Sequence, residues 1–198
     1  MRKIPSEYEN PFDNYIINLA DNIVPYVYKG GFVPNTITSL SSIACIIVII
    51  LLFQANYYLA AFFLIVSYFF DCLDGHLARS YNMVTVFGDY YDHISDLLKV
   101  FFILLTLYYI NSTKFLSIFP IFVFVSVMML IHFGCQELYY GNNGSNNESN
   151  TLNFTKNLCP VKNKEDIDEI KNALNYTKYF GCGTMYTTLF ITIIFYSY

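Results

Sequence analysis

DCLDGHLARSYNMVTVFGDYYDHISD, residues 71–96, decides how the chain is read. Its key positions are Asp71, Asp74, Gly75, Ala78, Arg79, Gly88, Asp92 and Asp96. They run D-x-x-D-G-x-x-A-R, then eight residues, then G-x-x-x-D-x-x-x-D. Four carboxylates stand at the ends of two apolar segments, where an ionisable group is costly and functional by default. With 57–79 and 88–110 as helices, Asp71 and Asp74 lie three apart on one face, and Asp92 and Asp96 four apart on another. The short 80–87 connection brings the two pairs together. Four carboxylates with water and phosphate oxygens suit hard cations such as Mg²⁺ or Mn²⁺. Two such ions clamp a pyrophosphate and polarise one phosphorus for in-line attack. Gly75 and Ala78 leave the backbone open to a ligand, and Arg79 is a fixed cation suited to phosphate. The competing reading of the same acids is a polar interhelical network or a monovalent-cation site.

Outside this stretch the chain is apolar. Of 198 residues 55% are hydrophobic and 13% charged, one domain's length but too apolar for an ordinary soluble protein. Aromatics are almost all Phe and Tyr, with no Trp, so Tyr serves as the interfacial belt residue. The net charge of −4 comes without a basic run, so no nucleic-acid partner is expected. Five cysteines (45, 72, 135, 159, 182) show no metal-ligand spacing. Cys45 and Cys72 fall in apolar spans and read as buried thiols. No disulfide is required, and Cys159 with Cys182 is the pair considered for one. The N-terminus, MRKIPSEYENPFDN, lacks the apolar core of a cleavable signal peptide.

Five segments, 36–53, 57–78, 90–110, 115–135 and 181–198, approach the ~20 residues needed to cross a bilayer. They are too long and too continuously apolar for barrel strands. Residues 11–29 alternate Phe12, Ile16, Ile17, Leu19, Ile23, Val24 and Val27 with Asp13, Asn14, Asp21 and Asn22. That pattern is an amphipathic helix, lying in the membrane interface or packed on protein. The expected fold is therefore an all-α polytopic transmembrane bundle, a single domain over 1–198, with about five spans plus an N-terminal interfacial helix. Nine of the eleven Lys and Arg fall on the N-terminal flank, the 79–88 connection and the 139–180 loop. The positive-inside rule puts these segments, and the acid motif, in the cytosol. The loop opens with GNNGSNNESN, low in complexity and expected to be disordered. Further on, Ile167, Ile170 and Leu174 mark a short amphipathic helix. Asn143, Asn147, Asn153 and Asn175 begin N-x-Ser/Thr sequons, which stay unmodified on a cytosolic face.

The 71–96 run resembles the signature of the CDP-alcohol phosphatidyltransferase (class I) family, with every fixed position filled. PNTIT, residues 34–38, is similar to that family's entry to the first span. The resemblance implies a CDP-alcohol donor, a hydroxyl acceptor (lipid or polyol), release of CMP, and association with membrane lipids and a possible homodimer. It implies metal ligation by Asp71, Asp74, Asp92 and Asp96, with Asp96 also placed to deprotonate the attacking hydroxyl. Gly75, Ala78, Arg79 and Gly88 would line the nucleotide pocket. Asn35 and Thr38 would add polar contacts or cap the first span. Lys99, on the face of Asp92 and Asp96, would counter their charge or meet an acceptor phosphate. Members usually carry six core spans, against five counted here.

Two clues divide the acceptor. GDYYDH, residues 88–93, resembles the GELFDH of choline and ethanolamine phosphotransferases, as does the NPFDNY lead-in, and there His93 would help activate a diacylglycerol hydroxyl. D-G-H-x-A-R, with His76, looks more like phosphatidylinositol synthases. His132 reads as a satisfied interhelical residue. The rival class is a non-catalytic membrane protein, a divalent-cation transporter or a degenerate lipid-binding relative.

Overall fold

A computed structural model describes residues 2–142, 149 and 151–198. The sequons at Asn143 and Asn147, and most of the stretch expected to be disordered, lie outside them. Seven α-helices follow in order: α1 (Pro11–Lys29), α2 (Pro34–Phe53), α3 (Tyr57–Ser80), α4 (Val86–Ile110), α5 (Ser112–Asn142), α6 (Ile167–Thr177) and α7 (Cys182–Phe195). Short 3₁₀ turns cover Asn153–Leu158 and Lys178–Phe180. No strand occurs among the described residues, as expected of an all-α membrane bundle.

Local chemistry starts the helices. The Asn10 side chain accepts from the Phe12 and Asp13 amides, and Pro11 opens α1. Pro34 opens α2. Thr85 caps α4 by accepting from Gly88 N at 3.0 Å. Asp166 caps α6, whose first turn carries Asp168 and Glu169. The turn between α3 and α4 needs one left-handed residue, supplied by Asn82 at φ 54°.

α2, α3, α4 and α5 are long and apolar enough to cross a membrane. The expected fifth span, 181–198, is shorter: α7 has 14 residues, about 21 Å at 1.5 Å per residue, against a hydrocarbon core of about 30 Å. Its bounds are set by the Lys178–Phe180 turn and Gly181 at one end and the loss of helix after Phe195 at the other. Met185, Tyr186, Leu189 and Ile193 bury it in the main core with Val48, Leu52, Leu64 and Leu107. The polar loop is also shorter than read, because α5 runs to Asn142.

Small residues seat α2 on α3. Ser41 Oγ donates to Ser67 O at 2.8 Å and Ser67 Oγ to Ser41 O at 2.9 Å, with Ala44, Ala60 and Ala61 buried. Close backbone approach through small and hydroxylated residues is how helices associate in lipid. The amphipathic α1 forms as expected, with buried Ile16, Ala20 and Val24 on one stripe. Ala20 and Val24 pack on Ile37, Leu73 and Leu77, while Leu19, Ile23 and Tyr26 stay exposed.

The end of α5 carries a second core: Cys135 and Leu138 meet Ile4, Cys159, Ile170 and Leu174. Cys135 and Cys159 are disulfide-bonded. This corrects the Cys159–Cys182 pairing considered from sequence; Cys182 is a free thiol at the start of α7. A buried polar chain runs alongside. Thr177 Oγ1 donates to Ala173 O, so it accepts from His132 Nδ1 at 3.0 Å. His132 Nε2 then accepts from Gln136 Nε2 at 3.0 Å, which also donates to Glu9 at 3.3 Å. His132 is a satisfied interhelical residue.

Candidate active site

The acids come from two helices. One carboxylate oxygen each of Asp71 (α3), Asp92 and Asp96 (α4) lies within 4.8 Å of the others. Asp92 and Asp96 are one turn apart, so both face α3. Asp74 stands outside this triad. Its buried carboxylate accepts from Thr38 Oγ1 at 2.5 Å, a contact to α2. Three of the four expected acids thus meet within the reach of one ion, and the fourth, Asp74, lines the cavity beside Asp92.

Lys99, one turn beyond Asp96, points back into the triad. Its Nζ lies 2.5 Å from Asp71 Oδ1, 2.7 Å from Asp96 Oδ1 and 2.8 Å from Ser41 Oγ. The pairing of Asp96 with Lys99 read from sequence is present, and Asp71 shares it. One ammonium does not balance three carboxylates, and Asp92 Oδ1 is buried without a hydrogen-bond partner among the described residues. Surplus negative charge, oxygen donors only and an orphaned buried carboxylate oxygen fit a hard divalent cation.

Beside the triad lies a cavity of about 250 Å³. Asn35, Thr38, Gly75, Ala78, Arg79 and Gly88 all line it, with Asp74, Asp92 and His93. Asp71 and Asp96 do not border it. Glycine makes two approaches possible. A Cβ on Gly75 would sit 3.1 Å from Arg79 Nη1, so the missing side chain leaves room for the guanidinium one turn on. A Cβ on Gly88 would meet Thr85 Oγ1 at 2.9 Å and Asn35 Oδ1 at 3.2 Å, so this glycine lets the starts of α2 and α4 meet. Sequence reading did not find Lys3, Tyr140 or Ser149, which also line the cavity. A second, mostly apolar cavity of about 210 Å³ opens between α2 and α4, bordered by Cys45, Ile46, Ile49, Leu98, Phe102 and Lys99. Lys99 thus borders the apolar cavity and contacts the acids.

The histidines separate. His76 is buried and its Nε2 pairs with Asp21 of α1; it does not line the polar cavity. His93 does. Its Nδ1 lies 2.8 Å from Asp89 O and 2.7 Å from Thr151 Oγ1.

The model of the CDP-alcohol phosphatidyltransferase family matches residues 31–145. The chain is similar to the CDP-diacylglycerol–glycerol-3-phosphate 3-phosphatidyltransferases of Rickettsia typhi and Rickettsia prowazekii. Each is 44% identical over 71 residues, 34% of this chain and 39% of the relative's own length. The chain therefore spans well under half the length of these relatives. No solved structure matches it. The family match takes in α2, α3, α4 and all of α5, the helices that carry the acids and most of the polar cavity, and on that match the chain belongs to the CDP-alcohol phosphatidyltransferase family.

Proposed function

We propose that this chain transfers a phosphate-linked alcohol or phosphatidyl group from a CDP-alcohol to a hydroxyl acceptor and releases CMP. The observation that carries the reading is the Asp71–Asp92–Asp96 triad set against a polar cavity lined by Arg79. Asp71, Asp74, Asp92 and Asp96 would hold Mg²⁺ or Mn²⁺, two ions by resemblance, and the bound cation would supply charge neutralisation at the pyrophosphate. The chain's own residues do the rest by positioning and electrostatics. Arg79 meets phosphate. Asn35, Thr38, Gly75, Ala78 and Gly88 shape the nucleotide end of the cavity. The acceptor oxygen forms a bond to the phosphorus beyond CMP, the bond from that phosphorus to the bridging oxygen breaks, and CMP leaves with the electron pair. The acceptor's proton passes to His93 or Asp96. His93 borders the cavity, whereas Asp96 Oδ1 faces the Lys99 ammonium. No covalent enzyme intermediate is required.

The cavity position of His93 and the burial of His76 against Asp21 favour the reading in which His93 activates a lipid hydroxyl, as in the aminoalcohol phosphotransferases. The apolar cavity between α2 and α4 is of the right character for lipid chains. A second reading, phosphatidyl transfer to glycerol 3-phosphate, draws on the activity named for the Rickettsia relatives and on two cations, Lys3 and Arg79, at one cavity. A phosphatidylinositol synthase-like reading loses its one supporting residue when His76 faces α1. A cation-transport reading would need polar groups along a path through the bilayer, and these acids crowd near one end of α3 and α4. The charge count supports a cytosolic active face, the Cys135–Cys159 bond beside the site supports an oxidising one, and glycosylation at Asn153 decides between them.

Purified protein should release CMP with one of three pairs: CDP-choline or CDP-ethanolamine with diacylglycerol, CDP-diacylglycerol with glycerol 3-phosphate, or CDP-diacylglycerol with inositol. The first pair is expected. Release with glycerol 3-phosphate instead moves the assignment to the second reading. No CMP from any pair at saturating Mg²⁺ or Mn²⁺ overturns the proposal.

A further inference from the structure

The family match ends at residue 145, yet two side chains beyond it reach back into the matched site. Ser149 Oγ donates to Asp89 Oδ1 at 2.8 Å. Thr151 brings its amide to Asp89 Oδ2 at 3.1 Å and its hydroxyl to the same oxygen at 3.0 Å. The segment is fastened from behind. Ser149 N donates to Glu137 of α5 at 3.3 Å, Gly134 of α5 lies directly against the Thr155 backbone, and Cys159 is bonded to Cys135. A strap from outside the family's matched region is thereby held on α4 one turn from the acids.

The hydrogens fix what this does to His93. The Thr151 hydroxyl has one hydrogen, directed to Asp89 Oδ2, so at 2.7 Å it accepts from His93 Nδ1. Asp89 O, 2.8 Å from the same nitrogen, can only accept. Both contacts require the proton on Nδ1. Nδ1 also lies 3.3 Å from Asp89 Oδ1. In the neutral ring Nε2 then carries no hydrogen and has no partner among the described residues, and His93 lines the polar cavity. Which nitrogen of a histidine is protonated is set by the bond its other nitrogen makes. We propose that Thr151, held by Asp89, is a positioning residue that fixes His93 with Nε2 bare, ready to take the proton of the acceptor hydroxyl. This rests on the functional reading above. It also gives Asp89 a role apart from the other acids: its carboxylate anchors the strap.

The test compares wild type, Thr151→Val, Thr151→Ser, His93→Ala and the double variant His93→Ala/Thr151→Val in CMP release. Thr151→Val should lower kcat about 10-fold, the lower end for loss of a group that orients a functional histidine, and leave KM for the CDP-alcohol unchanged. Thr151→Ser should restore the rate. In the His93→Ala background Thr151→Val should cost nothing further. Wild-type kcat in Thr151→Val, or an undiminished loss without His93, overturns the proposal. A second arm does not need turnover. The chain has three histidines, so ring ¹⁵N signals are assignable by substitution in labelled, detergent-solubilised protein. His93 should be protonated on Nδ1, and that signal should move in Thr151→Val and hold in Thr151→Ser. Protonation on Nε2 in wild type, or no movement in Thr151→Val, also overturns it. A wild type that releases no CMP defeats the functional reading alone, and the ¹⁵N spectra still decide the Thr151–His93 contact.

Discussion

The Lys99 ammonium lies 2.5 Å from Asp71 Oδ1, linking α4 to α3 within a largely buried acid cluster. It is 5% exposed, and Asp71 is 11% exposed. Removing one partner of such a pair strands the other charge and costs about 3–5 kcal/mol. A divalent cation among the same carboxylates would offset that loss. Lys99→Met should therefore melt well below wild type in EDTA, and added Mg²⁺ or Mn²⁺ should raise its Tm more than it raises wild type's. Equal cation shifts in the two proteins would mean that Lys99 and the metal do not share this charge.

The three converging acids should be less forgiving than the contacts around them. Asp71→Asn, Asp92→Asn and Asp96→Asn keep the side-chain shape and remove a charge, and each should lower CMP release by roughly 10² or more, the scale for losing one preorganised electrostatic contact. Asp74→Asn, in the same proposed metal set, should also abolish turnover. Thr38→Val, which removes the donor to Asp74 but no carboxylate, should do less. Full activity of wild type in EDTA would contradict metal dependence altogether.

The strap depends on a glycine. A Cβ on Gly134 would run into the Thr155 carbonyl, which is backbone and has no rotamer to give. Gly134→Ala should cost about 1–3 kcal/mol and lower turnover by displacing Thr151. Melting and CMP release measured on the same preparation check both halves. The buried Cys135–Cys159 bond should keep both thiols unreactive to maleimide until reduction. Labelling of Cys159 without reductant would show that the pair is open.

What the sequence made legible was local. The spacing of Asp71 and Asp74, and of Asp92 and Asp96, is a helical-face argument that needs no tertiary knowledge, and so is the apolar stripe of α1. The pairing of Lys99 with Asp96 is an i,i+3 relation, visible in advance; its reach to Asp71 required the packing of α3 on α4. Asp74 accepts from Thr38, 36 positions earlier, and no spacing rule connects those two. Ser149 and Thr151 sit in a polar stretch with no periodicity, so nothing marked them as neighbours of Asp89 and His93. The cysteine pairing turned on the return of the chain to the end of α5. The fifth apolar segment gave no helix bounds, because its apolar content continues past the helix itself, which runs from Cys182 to Phe195.

Asp13 provides a pH test on α1, at a carboxyl outside the proposed metal ligands. It lies on α1, 6% exposed, with its carboxylate against Gly181 and Gly183 at the start of α7 and accepting from the Tyr68 hydroxyl. Burial pushes its carboxyl up to about 7, and the neighbouring Glu9 and Asp71 push the same way, against the Tyr68 and Gly183 hydrogen bonds. In the unfolded chain it titrates near 3.9. Between these values the folded protein holds a proton that the unfolded chain has lost, so stability falls as pH rises. The contribution is fully present below about pH 4, is lost as pH climbs through about 7, and levels off above. Asp13→Asn keeps the shape and removes the titration. The Tm difference between wild type and Asp13→Asn should therefore shift against wild type from pH 5 to pH 8, by an amount corresponding to roughly a few kcal/mol. A difference that is flat across that range would mean that Asp13 is ionised throughout, with the α7 N-terminus and Tyr68 outweighing its burial.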